Sequence, residues 1–173
     1  QFAAAIGREF DAALLGEVAG LDHVALEGDL YAFVRSGLAF RSGAATDAHY
    51  SFKHALVQDA AYESMPKAQR QTVHAAIANA LTRMQPELST STPETIALHL
   101  TAAGDHAQAV PLWQLAGQLA GQRLANQEAV SYLARALDLL ETLPATPARA
   151  QRELELQLTI AGPLIASNGY AAP

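Results

Sequence analysis

The 173-residue sequence predicts a mainly α protein in two parts: a small helical domain carrying one β-hairpin, then an array of helices. Three observations predict it. Half of the residues are hydrophobic but only 6% are aromatic, so alanine and leucine supply most of the apolar surface, which favours closely packed helices. One segment, Leu38–Phe52, alternates on either side of a small polar turn, the pattern of a hairpin. Beyond Pro66, apolar residues return at helical spacing between repeated start and stop signals.

The chain opens on a short apolar run, residues 2–6, interrupted by Gly7. Asp11 is placed to cap a helix carrying Leu14, Leu15 and Val18, with Gly20 as its stop signal. Asp22 opens a second helix, in which Val24, Leu26, Leu30, Phe33 and Val34 recur at helical spacing, and Gly37 ends it. In the hairpin, Leu38 and Phe40 share one side of the first strand, and Tyr50 and Phe52 share one side of the second. Ser42–Asp47 forms the turn, with Gly43 supplying conformational freedom. Three helices followed by a hairpin is the order of a winged helix-turn-helix, expected over residues 1–65.

The stretch Tyr50–Met65, YSFKHALVQDAAYESM, joins the two parts: it begins as a strand and becomes an amphipathic helix at about His54, with Tyr50, Phe52, Leu56 and Val57 as its packing residues. Residues 66–173 then read as helices. Pro66 suits an early helical position, ahead of a long helix with Val73, Ile77, Ala80, Leu81 and Met84 on one face. Gln85–Ser91 reads as a loop. A new helix starts at Thr92-Pro93, with Ser91 and Glu94 at capping-box spacing. Gly104-Asp105 stops one helix and caps the next, which runs to about Arg123. Asn126 caps another, running to Leu143. Thr146-Pro147 opens the last helix, carrying Leu154, Leu158, Ile160 and Leu164. Its RELELQLTI segment alternates like a strand, but the flanking caps favour helix.

An internal repeat is the clearest pattern in this second part. In GDHAQAVPLWQLA, Ala109, Trp113 and Ala116 carry small–bulky–small residues at the spacing of a tetratricopeptide second helix, and Ala129, Leu133 and Ala136 repeat it. Small residues let two helices approach closely while the bulky one fills the gap. The two signatures stand 20 residues apart, against about 34 in a regular tetratricopeptide array, so a looser, TPR-like solenoid is expected. Gly117 and Gly121 form a GxxxG pair, which in a soluble helix permits a close crossing.

Charge bears on partners. Residues 1–65 hold four basic against nine acidic residues, a net of −5, whereas residues 66–173 carry only −1. The candidate recognition helix Asp22–Ser36 has Glu27 and Asp29 against Arg35. Phosphate contacts need Lys and Arg, so this composition argues against nucleic acid. A transcription-factor segment that binds DNA through this helix and the wing is the alternative reading.

No apolar run approaches the roughly 20 residues of a membrane span. The chain lacks cysteine, which fits a reducing, cytoplasmic setting. It has no initiator Met and no closing signal, so it is expected to be a piece of a longer protein. Six histidines occur without HxxxH or HExxH spacing, and neither GxSxG nor GxxxxGK[ST] is present. The expectation is therefore no metal site, no catalytic residue and no nucleotide-binding loop in this segment.

The segments AAAIGREF, GLAFR, YSFKHALVQDAAYESM, HLTAAGDHAQAVPLWQLAGQLA, NQEAVSYLARALDLLETLP and QRELELQLTIAGPLIASNGYAAP, in this order, resemble bacterial multidomain signalling ATPases of the STAND type. In many of these a class III adenylate/guanylate cyclase domain precedes an AAA-like ATPase, a winged helix and tetratricopeptide repeats. The resemblance implies a position after the ATPase core. It implies an upstream ATPase domain as partner in the same chain, and a protein partner or self-association through the repeats. ATP or ADP with Mg would be cofactors of the parent protein rather than of this segment. In such regulators a methionine–histidine–aspartate motif lies at the hairpin-to-helix junction, and its histidine contacts the β-phosphate of ADP. The matching positions here are Lys53, His54 and Ala55, so the histidine alone agrees. His54 is thus the one candidate binding residue that the resemblance supplies.

Overall fold

The computed structural model describes residues 1–43 and 48–168, and its chain divides into two compact units, Gln1–Met84 and Gln85–Pro173. The fold is mainly α with a small antiparallel sheet.

In the first unit, helix α1 (Phe2–Ile6) leads into strand β1 (Glu9–Asp11), then helices α2 (Ala12–Ala19) and α3 (His23–Arg35), and the hairpin β2 (Ala39–Ser42) and β3 (His49–Phe52). Helices α4 (Ala55–Glu63) and α5 (Lys67–Met84) complete it. The helix–strand–helix–helix–strand–strand order is that of a winged helix-turn-helix. Strand β1 does not stand out in the sequence, because three residues cannot establish an alternating period. It pairs with β3, placing Phe10 opposite Tyr50, so the sheet runs β1-β3-β2. The expected caps form: the Asp11 side chain accepts a 2.6 Å hydrogen bond from the Leu14 amide, and Asp22 accepts one from Ala25. Gly20 ends α2 in the left-handed conformation (φ 64°), which costs glycine nothing.

The core of this unit is aromatic. Phe10 stacks on Tyr50 with ring centroids 5.7 Å apart, and Phe33 meets Phe52 edge-on at 5.4 Å. Leu15, Leu26 and Leu30 close over them from α2 and α3. Leu38 and Phe40 do share a face, but it is the outer one. Ala39 takes the buried position on β2, and Phe40 stays 56% exposed with the Lys53 ammonium 5.7 Å above its ring. The tip of the expected turn, residues 44–47, lies outside the described residues.

The expected boundary at residues 65/66 falls inside this unit. Helix α5 packs on α1 and α2 through a face containing Val73, Ile77, Ala80 and Leu81, and an exposed Arg83–Glu17 ion pair links it to α2. Met84, expected on that face, is 39% exposed where the helix ends. Helix α4 buries no residue of its own, and Leu56, expected to pack, is 80% exposed. Met65 fills that role immediately after the helix and is fully buried.

The second unit comprises α6 (Leu88–Ser91), α7 (Pro93–Ala103), α8 (His106–Gln122), α9 (Asn126–Glu141) and α10 (Pro147–Asn168). The single turn α6 lies in the expected loop, and its Ser91 hydroxyl donates back to the Glu87 carbonyl rather than joining a capping box with Glu94. Pro93 holds the first helical position of α7, Gly104 closes that helix in the left-handed region, and Asp105 caps α8. Asn126 is the first residue of α9 rather than its cap. The Thr146 hydroxyl accepts the Arg149 amide at the start of α10, in which RELELQLTI is helical.

Helices α7 to α10 pack chiefly on their sequence neighbours, joined by short turns. Both repeat signatures point inward: Ala109, Trp113 and Ala116 on α8, and Ala129, Leu133 and Ala136 on α9, are all buried. A Cβ added to Gly117 would stand 2.5 Å from Leu133 Cγ, so the missing side chain is what seats Leu133. Gly121 has no such role: its nearest neighbour would be an ordinary 3.9 Å away. On α10 the inward residue is Leu156, whereas Leu154 and Leu158 lie on the exposed side.

Candidate functional site

The candidate site is the junction where β3 becomes α4. The chain leaves the sheet at Phe52, whose amide donates to the Arg8 carbonyl. Lys53 follows, its amide donating to Leu38 at 2.9 Å. His54 is extended (φ −134°, ψ 131°) and occupies the N-cap of α4, its carbonyl accepting from the Val57 and Gln58 amides. Its ring makes no capping hydrogen bond, and the residue is exposed.

Lys53 and His54 are both exposed at the junction, with the Lys53 ammonium over the Phe40 ring. Neutral imidazole donates one hydrogen bond and accepts one, and imidazolium donates two, so either form offers a donor to an anionic oxygen. Backbone bonds on both sides hold the position, and the Gln58 amide group ties α4 to α1 through the Ala4 carbonyl at 3.2 Å.

Three residues further on, Val57 lines an apolar groove of about 610 Å³, with Phe2, Leu15, Leu30, Phe33 and Phe52 among its walls. The groove opens where the aromatic core reaches the surface between α1, α3 and α4. Sequence reasoning missed it, because those residues lie on separate elements and read singly as core.

His74 on α5 is a buried polar residue of this unit. Its Nε2 lies 2.9 Å from the Tyr62 hydroxyl, and the two rings meet edge-on at 5.7 Å. Arg70 lies 5.1 Å from the Tyr62 ring centroid and donates through Nε to the Met65 carbonyl. Burial, reinforced by the positive charge of Arg70, holds the His74 pKa below the ordinary histidine value. This cluster fastens α4 to α5.

Among the described residues no three His, Cys, Asp or Glu side chains gather as a metal-binding set, and no helix is long and apolar enough to cross a membrane.

Comparison with known proteins adds one relative. The chain is 31% identical, over 116 residues, to an uncharacterized protein of Rhizobium meliloti (strain 1021). The alignment covers 67% of this chain and 11% of that protein, so the chain spans about a tenth of its relative's length. No protein-family model matches, and no solved structure does.

Proposed function

We propose that this chain is a non-catalytic regulatory segment of a multidomain, cytoplasmic signalling ATPase of the STAND type. In this reading the winged-helix-like unit docks on an upstream ATPase domain in the same polypeptide. The TPR-like helices that follow receive a protein partner or self-associate. Nucleotide exchange shifts the population between a closed and an open arrangement of these parts, and ATP or ADP with Mg belongs to the upstream domain.

The observation that carries the reading is His54. It is exposed at the strand-to-helix junction, held there by backbone bonds on both sides, and its ring serves neither cap nor core. An imidazole so placed is available to a phosphate oxygen presented by another domain. The relative's far greater length is consistent with a segment that works inside a larger protein. Binding to DNA is the weaker reading: α3 presents Glu27 and Asp29 against Arg35, the wrong sign for phosphate.

The test uses the full-length parent protein. His54→Ala should lower the ADP retained through purification and raise basal ATPase output. Wild-type ADP retention and wild-type basal activity in that variant would remove His54 from the mechanism. Duplex binding by the chain at low ionic strength, lost on adding salt, would favour the DNA reading instead.

A further inference from the structure

Another cavity, within the second unit, has a different character. It measures about 360 Å³ and is walled by Val110 and Pro111 of α8, Leu140 of α9, Leu143 of the connecting turn, and Arg149 and Arg152 of α10. That size is at the small end of ordinary ligand pockets. The walls are apolar apart from the two guanidinium groups and a threonine, and no carboxylate lines the cavity among the described residues. Pro111 has no N–H, so the Ala107 carbonyl on the same wall cannot receive its usual helical hydrogen bond.

The arginines are incompletely answered by the protein. Arg149 donates through Nη1 to the Leu143 carbonyl at 3.2 Å, whereas the Glu153 carboxylate stands 3.8 Å from Nη2, beyond hydrogen-bonding distance. Its Nε is buried and meets no acceptor among the described residues. Arg152 donates to Gln114 Oε1 at 3.1 Å, and Glu155 stays 3.8 Å from its Nε. Each guanidinium carries five N–H donors in a planar fork that matches a carboxylate; the buried donor without a partner is Arg149 Nε, whereas the Arg152 side chain is 41% exposed and keeps its free donors in water. The start of α10, capped by Thr146, adds a partial positive charge on the same side.

We propose that this cavity binds a small organic carboxylate. Its apolar body rests on Val110, Pro111 and Leu140, and its carboxylate is held by the outer nitrogens of Arg149 and Arg152. The requirement for both an apolar body and an anion separates this from a general basic patch, which would take phosphate equally well.

The test is an NMR titration of the whole chain with 4-phenylbutyrate and with 4-phenylbutan-1-ol, a neutral molecule of the same body. The acid should shift the amides of Val110, Leu140, Arg149 and Arg152 saturably, and the alcohol should bind roughly tenfold more weakly or worse, as the loss of a charge-assisted contact predicts. Arg149→Gln and Arg152→Gln should each cost the acid a similar factor without changing affinity for the alcohol. Equal affinity for acid and alcohol, shifts centred elsewhere, no saturation, or arginine variants that keep full affinity would each overturn the proposal. Should Arg149→Gln lose its folded spectrum, Arg152→Gln alone decides, since its residue is tied to the fold through one glutamine contact.

Discussion

The two units solve the same packing problem with opposite materials. The first closes around large rings: Phe10, Tyr50, Phe52 and Phe33 come from β1, β3 and α3 and meet at centroid distances between 5.4 and 5.9 Å. The second closes around absences. Ala97, Ala109, Ala129 and Ala136 are completely buried among Ile96, Leu133 and Leu156, Gly117 leaves room for Leu133, and Trp113, with Tyr132 against it at 5.4 Å, is the large buried ring. A core of rings is damaged by removal, and a close helix contact made by small residues is damaged by addition as well. The two units should therefore fail in different directions.

The largest expected effect is at the ring on which the second unit depends. Trp113→Ala should destabilise it by about 3–5 kcal/mol, because the side chain is almost fully buried, donates to Thr101 Oγ1 at 2.9 Å and carries Arg135 over its face. Thermal unfolding followed by circular dichroism measures this. Phe10→Ala should cost the first unit a comparable amount, and a near-neutral result would show that β1 is dispensable to the core.

Addition gives the sharper contrast. Gly117→Ala should cost about 1–3 kcal/mol by driving a methyl into Leu133, whereas Gly121→Ala should be neutral or stabilise by up to about 1 kcal/mol through helix propensity. Trp113 is the single tryptophan of the chain, so its fluorescence reports urea unfolding of the second unit directly. Equal behaviour of the two glycine variants would show that Leu133 swings aside and that the α8–α9 contact tolerates added bulk.

The next effect is confined to the first unit and depends on pH. The folded state holds the His74 pKa below its unfolded value of about 6.5, so the native state disfavours the protonated ring. Stability supplied by neutral His74 is complete above that pH. It declines as pH falls below about 6.5 and is lost once pH passes the lower folded value. His74→Gln should flatten this acid slope in chemical unfolding followed by circular dichroism. An unchanged slope would assign the acid sensitivity to other groups. The second unit, whose fluorescence is read separately, should show no change from this substitution.

The sequence legibly marked most of what is local. Asp11, Asp22 and Asp105 are caps because a short side-chain acceptor beside free amides has few better uses. Gly20 and Gly104 are stops because their backbone conformation excludes most other residues. The inward faces of α8 and α9 were legible for a related reason: small and bulky residues alternate there at the helical period. The strand-to-helix junction at His54 was legible because the alternation that ends at Phe52 gives way to helical spacing, whereas a role for His54 came from resemblance alone.

What the tertiary structure alone decided is pairing and sidedness. Strand β1 exists because β3 has an edge for it, and nothing within Glu9–Asp11 announces that edge. Leu38 and Phe40 share a face as their spacing requires, but spacing is silent on which face is inner, and Ala39 took it because the space beneath the sheet was already filled by rings. The same holds for α10, where Leu156 rather than Leu154 or Leu158 faces α9 and α8. Helix α5, which looks like the first member of an array, belongs to the first unit because α1 and α2 offer it a surface. Period and capping are properties of a segment and are written in it. The choice of partner depends on which surfaces remain uncovered once the other elements have folded, and no single segment contains that information.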